Sequence, residues 1–268
     1  MQVSVVLPVF NEEKALTPLL QRFVALSARV PWRLSLVVVN DGSSDRSAEV
    51  AESFRESLTI DIVQHATNLG LGAAIRNGLM RAAANAAPDD ITVTMDADNT
   101  HPPELIVDMV QLLDAGTDVV IASRYQKSAQ VVGLSPLRRV MSHGARLVFQ
   151  LMAPIPNVRD YTCGFRAYRA GPLRRVLDQF GDQLPGERGF ACSVEILLKL
   201  GALRAKMSEV PLVLRYDLKG TPSKMNVTDT VGRHLVLAWR NRFPARVKPP
   251  QDAPKQPRSQ ADCARPPE

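Results

Sequence analysis

Two aspartates one residue apart, Asp96 and Asp98, are the side chains whose type and spacing best suit a chemical role. They follow the run Val-Thr-Met at 93–95, which is typical of the end of a buried strand. Carboxylates at a strand end suit Mg²⁺ or Mn²⁺, which take oxygen ligands and keep positions open for substrate phosphates. Pro102 and Pro103 then favour the first turn of a helix. The segment predicts a divalent-metal site, with a merely solvated turn as the alternative.

Three earlier loops also follow predicted strands, and each has a structural and a functional interpretation. Their sequences are PVFNEE at 8–13, NDGSSD at 40–45 and NLGLG at 68–72. In the first loop Phe10 would flank a nucleobase and Glu12 would accept hydrogen bonds from it. Alternatively, Asn11 would simply cap a helix. In the second, Asp41 would bind nucleotide hydroxyls or base, or the loop would be a capped turn. In the third, the helix start would assist a diphosphate, or the glycines would form a tight turn.

Alternating strand and helix patterns predict how these loops meet. Apolar strand patterns occur at 3–7, 34–39, 60–63, 91–95 and 119–122, with helical patterns at 12–30, 46–57, 73–87 and 103–113 between them. This alternation predicts an α/β fold whose mostly parallel central sheet has helices on both faces. Ligands of such sheets bind beyond the carboxyl ends of the strands, so Asp41, Asp96 and Asp98 should share one edge. Together the loops predict a nucleotide diphosphate held through a cation.

The second half of the chain is less regular. We predict helices over 137–151, 193–200 and 229–240, a strand over 207–214 and a polar loop over 215–224, and we expect the segment 160–166 to lead into a short strand or turn. From residue 243 onward, proline and charged residues predict a disordered tail. We therefore divide the chain into one folded domain, residues 1–242, and a tail, residues 243–268.

Composition limits the class of protein. The chain has 268 residues, 45% of them hydrophobic, which suffices for one sizeable domain. Its net charge of +6 fits an anionic partner. Because it has no zinc-finger spacing, aromatic-rich platform or long basic run, we expect no nucleic-acid binding. Three scattered cysteines, no signal-peptide pattern and no apolar run of about 20 residues predict a cytoplasmic protein without a membrane span.

The order and spacing of several motifs resemble family 2 glycosyltransferases of the GT-A fold, and more closely the dolichol- and polyprenol-phosphate mannose synthases. The motifs are PVFNEE, VNDGSSD, NLGLGAAIRNG, DADNTHPPE, ASRY and DYTCGFR, then Arg138 and Ser142, then Ser223-Lys224-Met225. The resemblance extends over residues 1–240 and identifies residues 1–242 as a GT-A catalytic domain. It implies an inverting, metal-dependent enzyme that moves mannose from GDP-mannose to a polyprenyl phosphate.

The resemblance also implies a donor site. Its members would be Pro8, Phe10, Glu12, Asp41, Asp96, Ala97, Asp98 and Lys224. Within this set, Asp96 and Asp98 would bind the Mg²⁺ or Mn²⁺ ion. Thr100 stands where some relatives have a longer amide ligand, so the metal would bind there through water.

An acceptor-phosphate site would lie beside it. Its members would be Arg124, Arg138, Ser142, Arg215 and Lys219, with Arg215 and Lys219 as alternatives for the basic residue of the loop. A phosphate monoester, with a second pKa near 6, is anionic at neutral pH and needs positive charge rather than a catalytic base. The catalytic residues would be Asp98, Arg124 and Lys224. Asp160 would organise arginines, whereas Arg139 and Arg146 fit a solvated surface.

The helices predicted at 137–151 and 229–240 carry apolar residues beside arginines, which suits a membrane interface, with core packing as the alternative. We therefore expect peripheral attachment to the cytoplasmic face of the membrane. Other interpretations stay open: a UDP-glucose or UDP-N-acetylhexosamine donor, a soluble glycan acceptor that needs a general base, and a non-catalytic nucleotide-binding regulatory protein. A nucleotidyltransferase that releases pyrophosphate is a more distant alternative.

Overall fold

The computed structural model describes residues 1–134, 136–181, 184, 186, 189, 191–219 and 227–241, with only the backbone for 136–139 and 227–229. Within these residues nine strands form: β1 (Gln2–Val9), β2 (Arg33–Asn40), β3 (Thr59–Gln64), β4 (Ile91–Thr94), β5 (Val119–Ser123), β6 (Gln130–Val132), β7 (Arg166–Arg169), β8 (Met207–Pro211) and β9 (Val213–Arg215). Of these described strands, seven build a central sheet in the order β3-β2-β1-β4-β7-β5-β8, while β6 pairs with β9. Only β7 is antiparallel to its neighbours in that sheet.

Helices connect the strands and cover the sheet. In the described part of the chain they are α1 (Glu13–Ser27), α2 (Ser47–Ser53), α3 (Leu71–Ala83), α4 (Ile106–Asp114), α5 (Pro136–Met152), α6 (Ala170–Phe180), α7 (Ala191–Ala202) and α8 (Val227–Asn241). Every residue of β4 and β5 is buried. Because successive side chains of a strand point to opposite faces, the sheet is covered on both. The predicted α/β fold with a mostly parallel central sheet is confirmed.

Several element boundaries differ from the prediction. The helix predicted from residue 103 begins as a 3-10 turn, Pro103–Leu105, before α4. The helix expected to extend to residue 57 ends at Ser53. Helix α6 was not predicted; it follows β7 directly, and Gly171 and Pro172, residues typical of turns, lie within its first turn.

The strand predicted over 207–214 is wrong as a single element and is replaced by β8 and β9. Pro211 ends the pairing of β8 with β5, since proline has no N–H for a further ladder bond. The next residue, Leu212, bridges to both ladders: its N–H donates to Ser123 at 3.0 Å, and its carbonyl accepts from Gln130 at 3.0 Å. The chain then enters β9, and the N–H of Arg215 donates to the carbonyl of Thr100 at 3.0 Å. This bend brings the segment after β9 to the predicted metal site.

Two glycines permit the close contacts that set the sheet edge. A Cβ on Gly78 of α3 would lie 2.2 Å from Cγ1 of Val6, so this glycine lets the helix pack tightly against β1. Gly42 has a φ of +69°, and a Cβ there would lie 2.5 Å from the backbone of Thr67. The loop after β2 and the loop after β3 therefore touch backbone to backbone.

The predicted tail, residues 243–268, lies outside the described residues, so its separation from the domain stays a prediction. None of the helices in the described ranges combines the length and the apolar character that a membrane crossing requires.

Candidate active site

The loops after β1, β2 and β4 meet at one edge of the central sheet. In the parallel register Val9 pairs with Asn40, and Val6 pairs with Thr94. The three strands thus end close to one level, and the loops beyond them carry Asp41 and the aspartate pair.

The loops after β1 and β2 are tied together by their polar side chains. Oδ1 of Asn11 accepts from the N–H of Ser44 at 2.8 Å, so Asn11 does not cap α1 as its position suggested. The N–H of Glu13, the first residue of α1, donates instead to Oδ2 of Asp45 at 3.1 Å. Asp45 also accepts from the N–H of Ser47, the first residue of α2, at 3.0 Å. Asp45 therefore caps both helices and fixes one loop against the other.

Asp41 is buried, and its carboxylate holds the neighbouring loop. Oδ1 lies 2.7 Å from Nδ1 of His65 and accepts from the N–H of Leu69 at 2.8 Å, while Oδ2 accepts from the N–H of Gly70 at 2.9 Å. His65 is held in turn, since its Nε2 lies 2.9 Å from Nδ2 of Asn77. Asp41 thus fixes the turn that opens α3.

A cleft of about 1030 Å³, including the solvent at its mouth, lies next to this edge. The loops after β4 and β5 and the segment after β9 contribute charged or polar side chains: Asp96, Asp98, Thr100, His101, Arg124 and Lys219. A different set, from the segment before α5, from α5 itself, from β9 and from α8, is mainly apolar: Leu134, Met141, Ala145, Leu214 and Val231. The cleft therefore offers both charged and apolar walls to a ligand.

Asp98 is buried and accepts three hydrogen bonds from described residues. Its Oδ1 accepts from the hydroxyl of Thr100 at 2.6 Å and from the Thr100 N–H at 3.1 Å. Its Oδ2 accepts from the ammonium of Lys219 at 2.5 Å. Burial alone would raise the pKa of Asp98, but Lys219, His101 and the hydrogen bond from Thr100 together outweigh burial and lower it. Thr100 thus orients this carboxylate, and its place beside a metal bound through water stays a prediction.

Asp96 has a different environment, since its carboxylate has no hydrogen bond or ion pair with any residue in the described ranges. Burial raises the pKa of Asp96; His101 opposes this rise and the nearby Asp98 carboxylate adds to it. A carboxylate without a hydrogen-bond partner among the described residues, in a site where its charge is costly, suits a divalent cation.

The aspartate pair thus fits a metal with few protein ligands. In the described part of the chain, no cluster of three or more histidine, cysteine, aspartate or glutamate side chains is placed to hold an ion. A Mg²⁺ or Mn²⁺ ion bound by Asp96 and Asp98 would take its remaining oxygens from water and donor phosphates, as is usual for such ions in nucleotide sites.

Arg124 is fixed by Asp160, a carboxylate that is fully buried. Its Nε and Nη2 donate to the two oxygens of Asp160 at 2.8 and 2.7 Å, and Nη2 also donates to the hydroxyl of Thr162 at 2.5 Å. Burial alone would raise the pKa of Asp160, but Arg124 lowers it, so the pair is charged at neutral pH. This bidentate geometry leaves Nη1 without a hydrogen bond to a described residue, on a side chain that lines the cleft.

The other predicted acceptor residues differ in where they lie. Ser142 of α5 lines the cleft with Arg124. Arg138 lies in the first turns of α5, where only the backbone is described, and Lys224 lies outside the described residues. Arg215 is exposed, pairs with Asp217 at 2.7 Å and is not among the residues that line the cleft. Of the two alternatives for the loop, Lys219 lies at the aspartate pair and Arg215 does not.

The predicted nucleoside residues lie on the sheet edge, beside the cleft rather than in its lining. Pro8 and Phe10 are partly buried, whereas Glu12 and Ala97 are buried. The Glu12 N–H donates to the hydroxyl of Ser47 at 2.9 Å, which joins this loop to α2.

Two histidines that line the cleft were missed by the sequence analysis. His101 is buried and packs against the Phe165 ring at 5.3 Å, and its Nδ1 has no hydrogen-bond partner in the described part of the chain. His234 of α8 packs edge-on against Phe149, and no described residue forms a hydrogen bond with its buried Nε2. His101 was detectable in principle, since it lies in the same loop as the aspartates; nothing near His234 in sequence marked it.

Comparison with known proteins identifies the family. The sequence pattern named Glycosyl transferase family 2 matches residues 4–177. The chain belongs to this family. The GT-A fold that the resemblance implied is confirmed by the mostly parallel central sheet described above.

Two curated relatives act on polyprenyl phosphates according to their names. The chain is 32% identical over 221 residues to a dolichol-phosphate mannosyltransferase of Pyrococcus furiosus, covering 82% of this chain and 58% of that protein. It is 33% identical over 177 residues to an undecaprenyl-phosphate 4-deoxy-4-formamido-L-arabinose transferase of Edwardsiella ictaluri, covering 65% of this chain and 51% of that protein. The chain thus spans between 51% and 58% of the length of these relatives.

Solved structures support the fold. Glucosyl-3-phosphoglycerate synthase from Mycobacterium tuberculosis, in complex with Mn²⁺, UDP-glucose and phosphoglyceric acid, superimposes with a TM-score of 0.58 at 20% identity, over 90% of this chain and 79% of that one. TarS of S. aureus gives a TM-score of 0.56 at 19% identity, over 90% of this chain and 71% of that one. At these identities the likeness establishes the glycosyl transferase family 2 fold and nothing finer.

Proposed function

We propose that this protein is an inverting glycosyltransferase that moves a sugar from a nucleotide diphosphate to a polyprenyl phosphate. The observation that carries the proposal is the composition of the cleft: a carboxylate pair and a fixed arginine share it with an apolar wall from α5 and α8. An acceptor with an anionic head and a hydrocarbon chain matches both walls. The names of the curated relatives support this substrate class.

The acceptor phosphate would bind at Arg124. Asp160 and Thr162 orient this guanidinium before any ligand arrives, which reduces the entropy lost on binding. Nη1 would donate to a phosphate oxygen, with Ser142 and the predicted Arg138 nearby in sequence on α5. Such a phosphate is already anionic at neutral pH and attacks without a catalytic base. Asp160 is unsuited to be that base, because it is fully buried and bonded to Arg124.

The leaving nucleotide diphosphate would meet the aspartate pair and Lys219. Asp96 and Asp98 would hold the Mg²⁺ or Mn²⁺ ion, which when bound supplies positive charge for the phosphates. Lys219, and Lys224 as predicted from the sequence, would donate to phosphate oxygens as negative charge grows there. The nucleoside would lie over the sheet edge, between the loop with Phe10 and Glu12 and the loop that Asp41 fixes. GDP-mannose is the donor we favour, and a UDP-sugar is the alternative.

A peripheral position on the cytoplasmic face of a membrane would complete the site. Val140, Leu147 and Leu151 of α5 are spaced by seven and four residues, so they form one stripe, and Leu151 is 74% exposed. Leu235 and Trp239 of α8 are also exposed. Other residues of the same helices, such as Phe149 and Leu237, are buried in the core. One face of each helix would therefore pack on the protein while the other enters the lipid headgroup region.

The proposal is tested by incubating the purified chain with Mg²⁺ or Mn²⁺, a short polyprenyl phosphate and a panel of nucleotide sugars, followed by mass spectrometry of the lipid. Product from GDP-mannose supports the donor we favour; product from a UDP-sugar keeps the reaction and replaces the donor. Metal-dependent nucleotide binding without any lipid product would move a soluble glycan acceptor or a regulatory role ahead.

Asp98→Ala provides the companion test of the metal proposal. The variant should lose product formation by about a hundredfold or more. Circular dichroism and thermal unfolding should show a folded protein, because the aspartate lies in an edge loop. Full activity in this variant would remove the metal proposal.

A further inference from the structure

Glu209 of β8 joins the two loops that build the Arg124 site, although no motif of the sequence singled it out. Its Oε1 accepts from the backbone N–H groups of Arg159 at 2.6 Å and Asp160 at 2.7 Å. Its Oε2 accepts from the side-chain amide of Gln126 at 3.0 Å. One carboxylate therefore fixes the chain just before Thr162 and the chain just after Arg124.

We propose that Glu209 is a positioning residue for the acceptor phosphate, an inference that rests on the function proposed above. Glu209 holds the backbone of Asp160, and Asp160 in turn accepts from the backbone N–H of Arg124 at 3.0 Å and from its guanidinium. Glu209 thereby influences the orientation of Arg124 through Asp160, without itself contacting the substrate.

The chemistry of this position explains why an acid stands in a strand. Glu209 is partly buried and pairs with Ile121 of β5, a strand whose residues are all buried. A partly buried carboxylate is costly unless its oxygens are hydrogen-bonded, and here both oxygens are. Bonds from two successive N–H groups to one charged oxygen are strong and directional, so they fix the loop more tightly than a neutral partner would.

The effect should be confined to the acceptor. Glu209 contacts the loops of Arg124 and Asp160, whereas Asp98 and Lys219 are held by bonds in which Glu209 takes no part. Loss of the Glu209 carboxylate should therefore displace Arg124 without moving the aspartate pair.

The test compares Glu209→Ala and Glu209→Gln in the full chain. We expect Glu209→Ala to raise the KM for a short polyprenyl phosphate by roughly tenfold, with the KM for the nucleotide sugar changed by less than about twofold. Glu209→Gln keeps an oxygen for the two N–H groups and should recover most of the acceptor affinity. Asp118→Ala is the matched control, because Asp118 accepts from the N–H of Lys206 just before the same two strands begin, at the end opposite these loops.

A second measurement needs no substrate. The Arg124 Nε–H is held by Asp160 and should give a sharp, slowly exchanging NMR signal in the wild type, which Glu209→Ala should broaden or shift. An unchanged signal together with an unchanged acceptor KM would overturn the proposal, as would equal losses for donor and acceptor. If the wild type makes no lipid product, the proposed function fails while the NMR comparison still tests the link from Glu209 to Arg124. If Glu209→Ala does not fold, Gln126→Ala removes only the bond to Oε2 and should cause a smaller change of the same kind.

Discussion

The ammonium of Lys219 lies 2.5 Å from Oδ2 of Asp98, so a lysine after β9 neutralises the second aspartate of the pair. Burial alone would lower the pKa of Lys219, but Asp98 raises it, and both groups are therefore charged at neutral pH. Lys219 holds the oxygen that a divalent ion would take. A metal bound by the aspartate pair would therefore compete with Lys219 for Asp98, and the lysine that it released would be available for a phosphate.

Replacement of Lys219 by Met tests this competition. Without nucleotide, the variant should bind Mn²⁺ roughly tenfold more tightly, since a charge-assisted bond to Asp98 is worth about 1.5 kcal/mol or more. The same variant should bind a nucleoside diphosphate more weakly, because it lacks a phosphate partner. Titration calorimetry with Mn²⁺ alone, then with GDP and UDP, measures both changes.

The control for the Lys219→Met variant is Arg215→Met. Arg215 belongs to the same basic segment but is exposed and paired with Asp217, so Mn²⁺ and nucleotide affinities should stay as in the wild type. Equal effects of the two variants would mean that general charge, not the contact with Asp98, sets the affinities.

The Arg124–Asp160 pair should make stability depend on acid pH. The pKa of Asp160 is lowered in the folded protein, so the unfolded chain takes up the proton first as the pH falls. The stabilisation is present above the unfolded pKa of about 4 and is lost below it. Asp160→Asn, which leaves Arg124 buried without its partner, should cost about 3 kcal/mol or more at pH 7. In urea unfolding, the difference from wild type should shrink below about pH 4. Asp217→Asn, in an exposed pair, should change little at either pH.

His234 should remain neutral well below the usual pH for histidine. Burial lowers the pKa of His234 from 6.5 to about 4. Because the unfolded chain accepts this proton near pH 6.5 and the folded chain only near 4, stability should fall as the pH drops through that interval. His234→Leu should flatten this dependence, and the imidazole NMR shift of the wild type should titrate near 4. His143→Gln, an exposed change on α5, should leave the pH dependence as it is.

Gly78 should tolerate no larger side chain. A Cβ there would lie 2.2 Å from Val6 and 3.0 Å from Val39, so Gly78→Ala must push α3 away from β1 and β2. We expect a loss of about 1–3 kcal/mol in unfolding free energy. Gly144→Ala, in the interior of α5 with nothing within 4 Å of the new Cβ, should instead raise stability by up to about 1 kcal/mol. Thermal unfolding of the two variants gives opposite shifts if the packing argument holds.

The sequence predicted the elements whose signals are local. Continuous apolar runs marked β1, β2, β4 and β5, and helical spacing marked α1, α3 and α5. The position of the aspartate pair at a strand end followed from the same pattern, because strand order and parallel register place all such ends on one edge. Two elements were not predicted because the local sequence did not mark them. Helix α6 begins directly after β7, and nothing at Pro211 indicates which sheet the following residues join.

Partners that are distant in the chain were decided by tertiary structure alone. Lys219, and not Arg215, lies at the aspartate pair because it contacts Asp98, a residue 121 positions earlier in the chain. The bend after Pro211 makes this contact possible. The hydrogen bonds from the N–H groups of Leu69 and Gly70 to Asp41 likewise form only because two loops touch at Gly42. Residue types and spacing therefore determined which groups could do chemistry here. Packing between distant segments decided which of them meet, because the free energy of each contact is gained only when the whole sheet edge has formed.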